Sequence, residues 1–299
     1  MMASLADINL LKNLERLISP EYKLKVAAMI NITDKEFKEL SRYIKENYGI
    51  NLKPEKQSLV NTRLNCVLAQ KNFESFTDYY QYLTTDKTGE ALSTLIDKIT
   101  TNHTFFMRES DHFIYFRDKV LPYLGQTIKD GNLRIWCAGC SSGEESYTLA
   151  MLIDEYVKLN NKQWDRRILA TDISSKVLDT AVKGIYDNES ISTLPGSMRL
   201  NYFKKVDSQK SSVVESIKNQ VIYRRFNLME DVFPFKKKFH VIFCRNVMIY
   251  FDNITKINLV NKFYDLTESG GYLFIGHSES LMRDETKYKY NMPAVYRKE

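Results

Sequence analysis

From about residue 112 to its end, the chain alternates short apolar runs with longer amphipathic ones, and this constrains the fold more than any other feature. "NLRIWCAG" (132–139) reads as a strand, and "GEESYTLAMLIDEYVKL" (143–159) repeats apolar residues with a helical period. "RRILATDIS" and "SKVLDTAVKGIY" repeat the pair, and "VIYRRFNL", "KFHVIFCRN", a helix over "DNITKINLVNKFYDLT" and "GGYLFIGHSES" follow. Strands alternating with helices predict an α/β fold, a mainly parallel sheet covered on both faces. Ligands of such sheets bind outside the carboxyl ends of the strands. Residues 187–220 are long for a plain loop and predict a small inserted element.

The first hundred residues have a different texture. "TDKEFKELSRYIKENYG" opens with Thr33 three residues before Glu36, the spacing of a capping box, and stops at Gly49. Three further helical stretches follow, to about residue 100. At 299 residues the chain is long enough for two domains. We therefore expect a helical extension over 1–32, an all-helical domain over 33–100 and an α/β domain over 101–299. No apolar run approaches the ~20 residues of a membrane span, and the N-terminus lacks the pattern of a signal peptide. With four scattered cysteines, a cytoplasmic protein without membrane insertion is expected. The net charge of +6 is uneven: residues 195–238 hold ten basic and four acidic residues, which favours an acidic partner.

"IWCAGCSSGEE" (135–145) admits three chemistries. Cys137 and Cys140 have the spacing of a redox pair, but they fall in the strand end and turn rather than at the helix start. Zinc would need a second ligand pair, and His103, His112, His240 and His277 are scattered. The third reading is a cofactor turn, in which Ala138, Gly139, Ser141, Ser142 and Gly143 let backbone approach a ligand. Glu144 and Glu145 open the next helix, where a phosphate would be repelled. Asp172 ends the next strand, placed to accept hydrogen bonds from a ribose diol. An adenosine-like, phosphate-free, cationic ligand matches S-adenosyl-L-methionine.

Taken together, "TTNHTFFMRESDHF" (100–113), "WCAGCSSGEESYTLAM" (136–151), "LATDIS" (169–174), "FNLMED" (226–231) and "VIFCRNVMIYFD" (241–252) resemble the CheR-type chemotaxis protein methyltransferases, in order over roughly 33–296. The resemblance implies a Rossmann-like class I methyltransferase domain carrying a small β-subdomain at 187–220, behind an all-helical domain. It implies transfer of a methyl group from S-adenosylmethionine to glutamate side chains of chemoreceptors, leaving S-adenosylhomocysteine, without a metal. Cofactor contacts carry over to Asn102, Thr104, Arg108, Gly139, Glu145, Asp172, Asn227, Leu228, Arg245 and Asn246. Two departures are visible. Met107 stands where the family has a second Phe, keeping bulk and hydrophobicity, and Ser146 replaces a frequent Pro. Residues 1–32 have no counterpart in the basic family pattern.

A glutamate nucleophile with a pKa near ~4.3 is already ionised at neutral pH, so the reaction needs positioning rather than a general base. Arg108 is the candidate to orient the substrate carboxylate by charge-assisted hydrogen bonds, and Tyr250 to offer it a hydroxyl. The expected partner is the cytoplasmic domain of methyl-accepting chemotaxis receptors, met by a monomer and helped by the basic excess. A nucleic-acid methyltransferase is the first rival, yet the strand ends lack the Asn/Asp-Pro-Pro-Tyr type of motif. A cofactor-binding scaffold is the second, and it would need neither Arg108 nor Tyr250.

Overall fold

A computed structural model describes residues 30–100, 103–282 and 284–299. The chain divides into two compact units: residues up to Leu40 with Lys53–Thr85, and Ser41–Leu52 with Asp86–Glu299. The expected helical extension falls, but for its last three residues, outside the described residues.

Helix α1 (Asp34–Tyr48) contributes its first half to the smaller unit and its second half to the larger. It begins where the sequence places it. The Thr33 N–H donates to Glu36 Oε2 at 2.9 Å, and the Glu36 N–H returns a bond to Thr33 Oγ1 at 3.2 Å, so two orphan donors of the first turn are satisfied reciprocally. It ends at Gly49, whose φ of +72° a side chain would resist. The smaller unit also holds α2 (Gln57–Lys71) and α3 (Phe76–Thr85), which bury Val60, Leu64 and Leu68 and Phe76, Tyr79 and Leu83. Helix α4 (Glu90–Ile99) belongs to the larger unit.

In the larger unit, α5 (Ser110–Tyr115) runs through a π-helical turn (Phe116–Val120) into α6 (Leu121–Thr127). The alternation then follows: β1 (Ile135–Ala138), α7 (Glu144–Leu159), β2 (Ile168–Asp172) and α8 (Ser175–Lys183). Strands β3 (Ile185–Asp187), β4 (Phe203–Lys205) and β5 (Lys210–Val213) form a separate antiparallel sheet in the order β3-β5-β4. The main sheet resumes with β6 (Val221–Arg225), β7 (Phe239–Cys244) and β8 (Thr267–Ile275), then β9 (Lys289–Met292) and β10 (Val295–Arg297).

Its seven strands lie in the order β6-β2-β1-β7-β8-β10-β9. The first five are parallel, and β10 and β9 add an antiparallel edge. Numbered by chain order, the parallel strands run 3-2-1-4-5, so the winding reverses beside β1 and opens a crevice at its carboxyl end. Strand β1 is buried on both faces, as a central parallel strand must be. Ile135 and Cys137 join the core that holds Phe113, Phe116, Phe243 and Phe274. Trp136 and Ala138 face the other side, where Trp136 meets Phe226, Phe233, Phe235, Phe239 and Phe263. The Trp136 indole N–H donates to Thr171 Oγ1 at 2.9 Å, so this large side chain is buried without an orphan donor.

Candidate active site

The carboxyl ends of β1, β2, β6 and β7 meet at the crevice. The turn after β1 holds the tightest backbone. The N–H groups of Gly139 and Cys140 both donate to the Thr171 carbonyl, at 2.8 and 2.9 Å, and the Ser141 N–H donates to Asp172 Oδ2 at 2.8 Å. Gly139 has a φ of +89°, and a Cβ there would stand 2.3 Å from Val247 Cγ2, so nothing larger fits. Gly143, with φ +98°, leaves room for Tyr223 Oη and Ala181 Cβ, which a Cβ would meet at 2.8 and 2.9 Å. The glycines of the turn therefore make room for neighbouring side chains, Val247 at Gly139 and Tyr223, Ala181 and Tyr186 at Gly143.

The same geometry settles the thiols. Cys137 and Cys140 are buried and free, and burial pushes both thiols well above their ordinary pKa. A buried, protonated thiol is neither nucleophile nor redox partner at neutral pH. Redox chemistry is thus removed from the readings of this turn.

Around the turn lies a cavity lined by Tyr48, Ile50, Ile96, Thr100, His103, Thr104, Phe105, Arg108, Phe113, Gly139, Glu145, Asp172, Asn227, Leu228, Arg245, Asn246, Val247 and Tyr250, among others. Every site residue expected from the sequence lines it except Asn102, which lies outside the described residues. Two of its groups are carboxylates that burial pushes upward in pKa, Glu145 and Asp172. Asp172 sits at the end of β2 and accepts from the N–H groups of Ser141 and Ser174 at 2.8 and 3.0 Å, which fixes its orientation. Asn227 spans the wall differently: its Nδ2 donates to the Asn47 carbonyl at 2.8 Å and its Oδ1 accepts from the Met229 N–H at 3.0 Å.

The cluster behind the cavity was not foreseen in the sequence. Arg245 is almost fully buried. Its Nη1 donates to Glu145 Oε2 at 2.8 Å and its Nη2 to Glu109 Oε2 at 3.0 Å, and Nη2 also donates to the Arg108 carbonyl. Its guanidinium lies 5.1 Å from the centre of the Phe113 ring. Arg245 lines the cavity, with Nη2 holding the Arg108–Glu109 segment and Nη1 holding Glu145, while its buried Nε has no hydrogen-bond partner among the described residues. Glu109 also accepts from Asn246 Nδ2 at 3.1 Å and from the His277 N–H at 3.2 Å. Glu279 does similar work beyond β8: buried, it accepts from the N–H groups of Gly276, Asn246 and Ile249, and so shapes the loop that carries Arg245 and Tyr250.

Arg108 is half-buried on the cavity wall, and its Nη1 donates to the His103 carbonyl at 2.7 Å. The residues on either side, Met107 and Glu109, have φ of 60° and 54°, and Ser141 and Asn246 have 47° and 59°. Left-handed conformations cost a non-glycine residue of order 1–3 kcal/mol. Four of them gathered around one cavity mark the place where the fold gives up local stability to hold a geometry. Tyr250 lines the same cavity, and its carbonyl accepts the Asn51 N–H at 2.8 Å. Ser146, at the position of the absent proline, is buried in α7, where its hydroxyl donates to the Gly143 carbonyl at 2.8 Å.

The residues fit an adenosyl sulfonium better than a phosphorylated nucleotide: the walls are largely apolar, the carboxylates of Glu145 and Asp172 line the cavity, and the buried Arg245 is already paired with Glu145 and Glu109. A family model described as CheR methyltransferase, SAM binding domain, matches residues 102–296, and one described as CheR methyltransferase, all-alpha domain, matches 35–100. With the 3-2-1-4-5 parallel order, the larger unit is a class I S-adenosylmethionine-dependent methyltransferase domain. A chemotaxis protein methyltransferase of Borreliella burgdorferi is 45% identical over 272 residues, covering 90% of this chain and 96% of its own. A probable chemotaxis protein methyltransferase of Rhizobium etli is 37% identical, covering 84% and 97%. Chemotaxis protein methyltransferase 2 of Vibrio cholerae is 34% identical, covering 85% and 88%. The chain belongs to the CheR family of chemotaxis protein methyltransferases.

Proposed function

We propose that this enzyme esterifies glutamate side chains in the cytoplasmic domain of methyl-accepting chemotaxis receptors, acting as a monomer in the cytoplasm. The observation that carries the reading is that one cavity holds both Glu145 and Asp172, suited to a cationic nucleoside, and Arg108 and Tyr250, suited to a carboxylate. S-adenosylmethionine, when bound, supplies a methyl carbon on a sulfonium, open to displacement by an oxygen in line with the carbon–sulfur bond.

The residues of the chain then have separable tasks. Asp172 accepts from the ribose hydroxyls. Glu145 holds Arg245 in place and adds negative potential near the sulfonium. Gly139 and the Asn227–Leu228 pair shape the adenosyl pocket, with Thr104 and Asn246 also on its wall, and Asn102 is a cofactor contact that the family resemblance implies. Arg108 orients the substrate carboxylate by charge-assisted hydrogen bonds, with the Tyr250 hydroxyl beside it. No base is required, because the nucleophile is already ionised. Distance and alignment are what the site supplies.

The basic excess of 195–238 attracts the acidic receptor surface, so receptor methylation falls as salt rises. No nucleic acid is expected as substrate. The test is labelled S-adenosylmethionine offered with receptor-rich membranes, with nucleic acid, or alone. Base-labile label in the receptor band supports the reading; label in nucleic acid, or none with receptors, overturns it.

A further inference from the structure

His112 and His277 lie 165 residues apart in sequence, yet their ring centroids are 4.5 Å apart at an interplanar angle of 80°. Glu109 completes a group of three whose ligand atoms, one from each residue, all lie within 4.8 Å of one another. His112 is fully buried, and among the described residues neither of its ring nitrogens has a hydrogen-bond partner. Glu109 Oε2 approaches its Nδ1 at 3.5 Å, too far for a good bond. A buried imidazole with both nitrogens unsatisfied is costly unless something else occupies a lone pair.

Three further observations bear on what that is. Asp111 Oδ2 lies 3.1 Å from His277 Nε2, which directs the remaining nitrogen, Nδ1, away from Asp111. Carboxylates hold metal-binding histidines in this way, fixing tautomer and ring orientation. Second, in the ion pairs among the described residues Glu109 and Glu145 share the one guanidinium of Arg245, while Asp111 meets His277. A divalent cation makes up the deficit. Third, the donors are two imidazoles and one carboxylate, a set that suits zinc, cobalt or nickel rather than magnesium or calcium.

We propose that Glu109, His112 and His277 form a binding site for a divalent transition-metal ion, with a fourth position left to water, whose occupation restrains the enzyme. Glu109 is the left-handed residue just before α5, and His112 lies in the first turn, its N–H donating to the Glu109 carbonyl at 3.1 Å, so the two side chains meet, with Oε2 and Nδ1 3.5 Å apart. His277, half-exposed on the loop after β8, is held by Asp111 and is the more exposed of the two histidines, and a small shift of its ring closes the set to the ~3.3 Å between ligand atoms of a tetrahedral site. The ion draws the Glu109 carboxylate from Arg245, and with it the segment whose carbonyl at Arg108 Arg245 also holds. The proposed displacement, with a nucleophile already ionised, calls on no metal. The site is thus regulatory, and this second half of the inference rests on the proposed methyl transfer at the neighbouring cavity.

Cobalt is the probe, because a tetrahedral cobalt ion absorbs visibly. Full-length protein carrying Cys66→Ser, to remove the exposed thiol, is stripped of metal and titrated with Co²⁺ at neutral pH. The expected result is a saturable visible band reaching one equivalent, displaced by Zn²⁺ and weakened at least tenfold in affinity by His277→Ala. No saturable band, or one that His277→Ala leaves unchanged, overturns the site. Zn²⁺ should then lower methyl transfer at the concentrations that displace cobalt, each variant being compared with its own metal-free rate. Zinc inhibition that persists in His277→Ala, or its absence in the parent, overturns the regulatory half. The optical titration needs no substrate, so it stands or falls apart from the assignment of glutamate methylation.

Discussion

The buried guanidinium of Arg245 joins Glu109 at 3.0 Å to Glu145 at 2.8 Å, and so ties the start of α5 to the start of α7 behind the cavity wall. Arg245 is the cation that both carboxylates share, and it also holds the carbonyl of Arg108. Replacing it by Met leaves two carboxylates facing each other out of water. Breaking such a pair from one side costs about 3–5 kcal/mol. Arg245→Met should therefore lower the urea midpoint of the larger unit and abolish methyl transfer. Arg245→Met together with Glu109→Gln and Glu145→Gln should recover much of the stability but little of the activity, because the segment bearing Arg108 is no longer held. Recovery of full activity in the triple variant would remove Arg245 from the positioning role.

Arg108 and Asp172 line one cavity but should separate in assay. Arg108→Ala takes away the group that orients the substrate carboxylate and should reduce receptor methylation far more than cofactor affinity. Asp172→Asn weakens the acceptor offered to the ribose and perturbs the Ser141 and Ser174 bonds. Hydrogen bonds to a charged group contribute about 1.5–3 kcal/mol, so S-adenosylmethionine affinity should fall roughly 10- to 100-fold by calorimetry. Equal losses of binding and turnover in Arg108→Ala, or unchanged affinity in Asp172→Asn, would contradict these assignments.

The division between what the sequence discloses and what it hides follows from physics at particular residues. The parallel core was legible because β1, β2, β6, β7 and β8 are dense apolar runs, and strand-to-helix alternation permits few sheet orders. The glycine turn and Asp172 were legible because they sit at strand ends, whereas the Arg245–Asn246 pair was named only through the family resemblance. Short β9 and β10 carry no such signal, since "KYNM" and "VYR" are too brief and too polar to stand out. Glu109 and Glu279 were hidden for another reason. Each looks like any surface acid, and only tertiary structure reveals that their carboxylates meet backbone N–H groups and Arg245. Tyr48 and Ile50 were missed because their stretch reads as the end of a helix, while its place on the wall comes from pairing of Ile50 with Phe251. His112 and His277 are scattered in sequence and adjacent in space.

The four cysteines give a simple check on the turn after β1. Cys137, Cys140 and Cys244 are buried, with thiols pushed well above their usual pKa by burial, and Cys66 is exposed. Under native conditions a thiol reagent should modify a single cysteine quickly, and Cys66→Ser should abolish that phase. Cys137→Ser with Cys140→Ser should keep methyl transfer, because small side chains and not sulfur are what the turn requires. Fast modification of more than one thiol, or loss of transfer without loss of folding, would restore a role to the sulfurs.

His240 supplies a pH dependence whose sign can be worked out. Its Nδ1 accepts the Arg134 N–H at 3.1 Å, and burial with the nearby Arg134 guanidinium lowers its pKa to about 4. In the unfolded chain a histidine titrates near ~6.5. Between those two values the unfolded state binds the proton and the folded state does not, so stability is complete above the unfolded pKa and falls as pH drops through the window. His240→Gln removes that proton from the balance. Urea unfolding measured from pH 7 to pH 4 should therefore show a dependence in the parent steeper than that of His240→Gln by about one proton. Parallel curves for the two proteins would mean that His240 is protonated in the folded state as readily as in the unfolded chain, and that the Arg134 N–H does not hold its ring neutral.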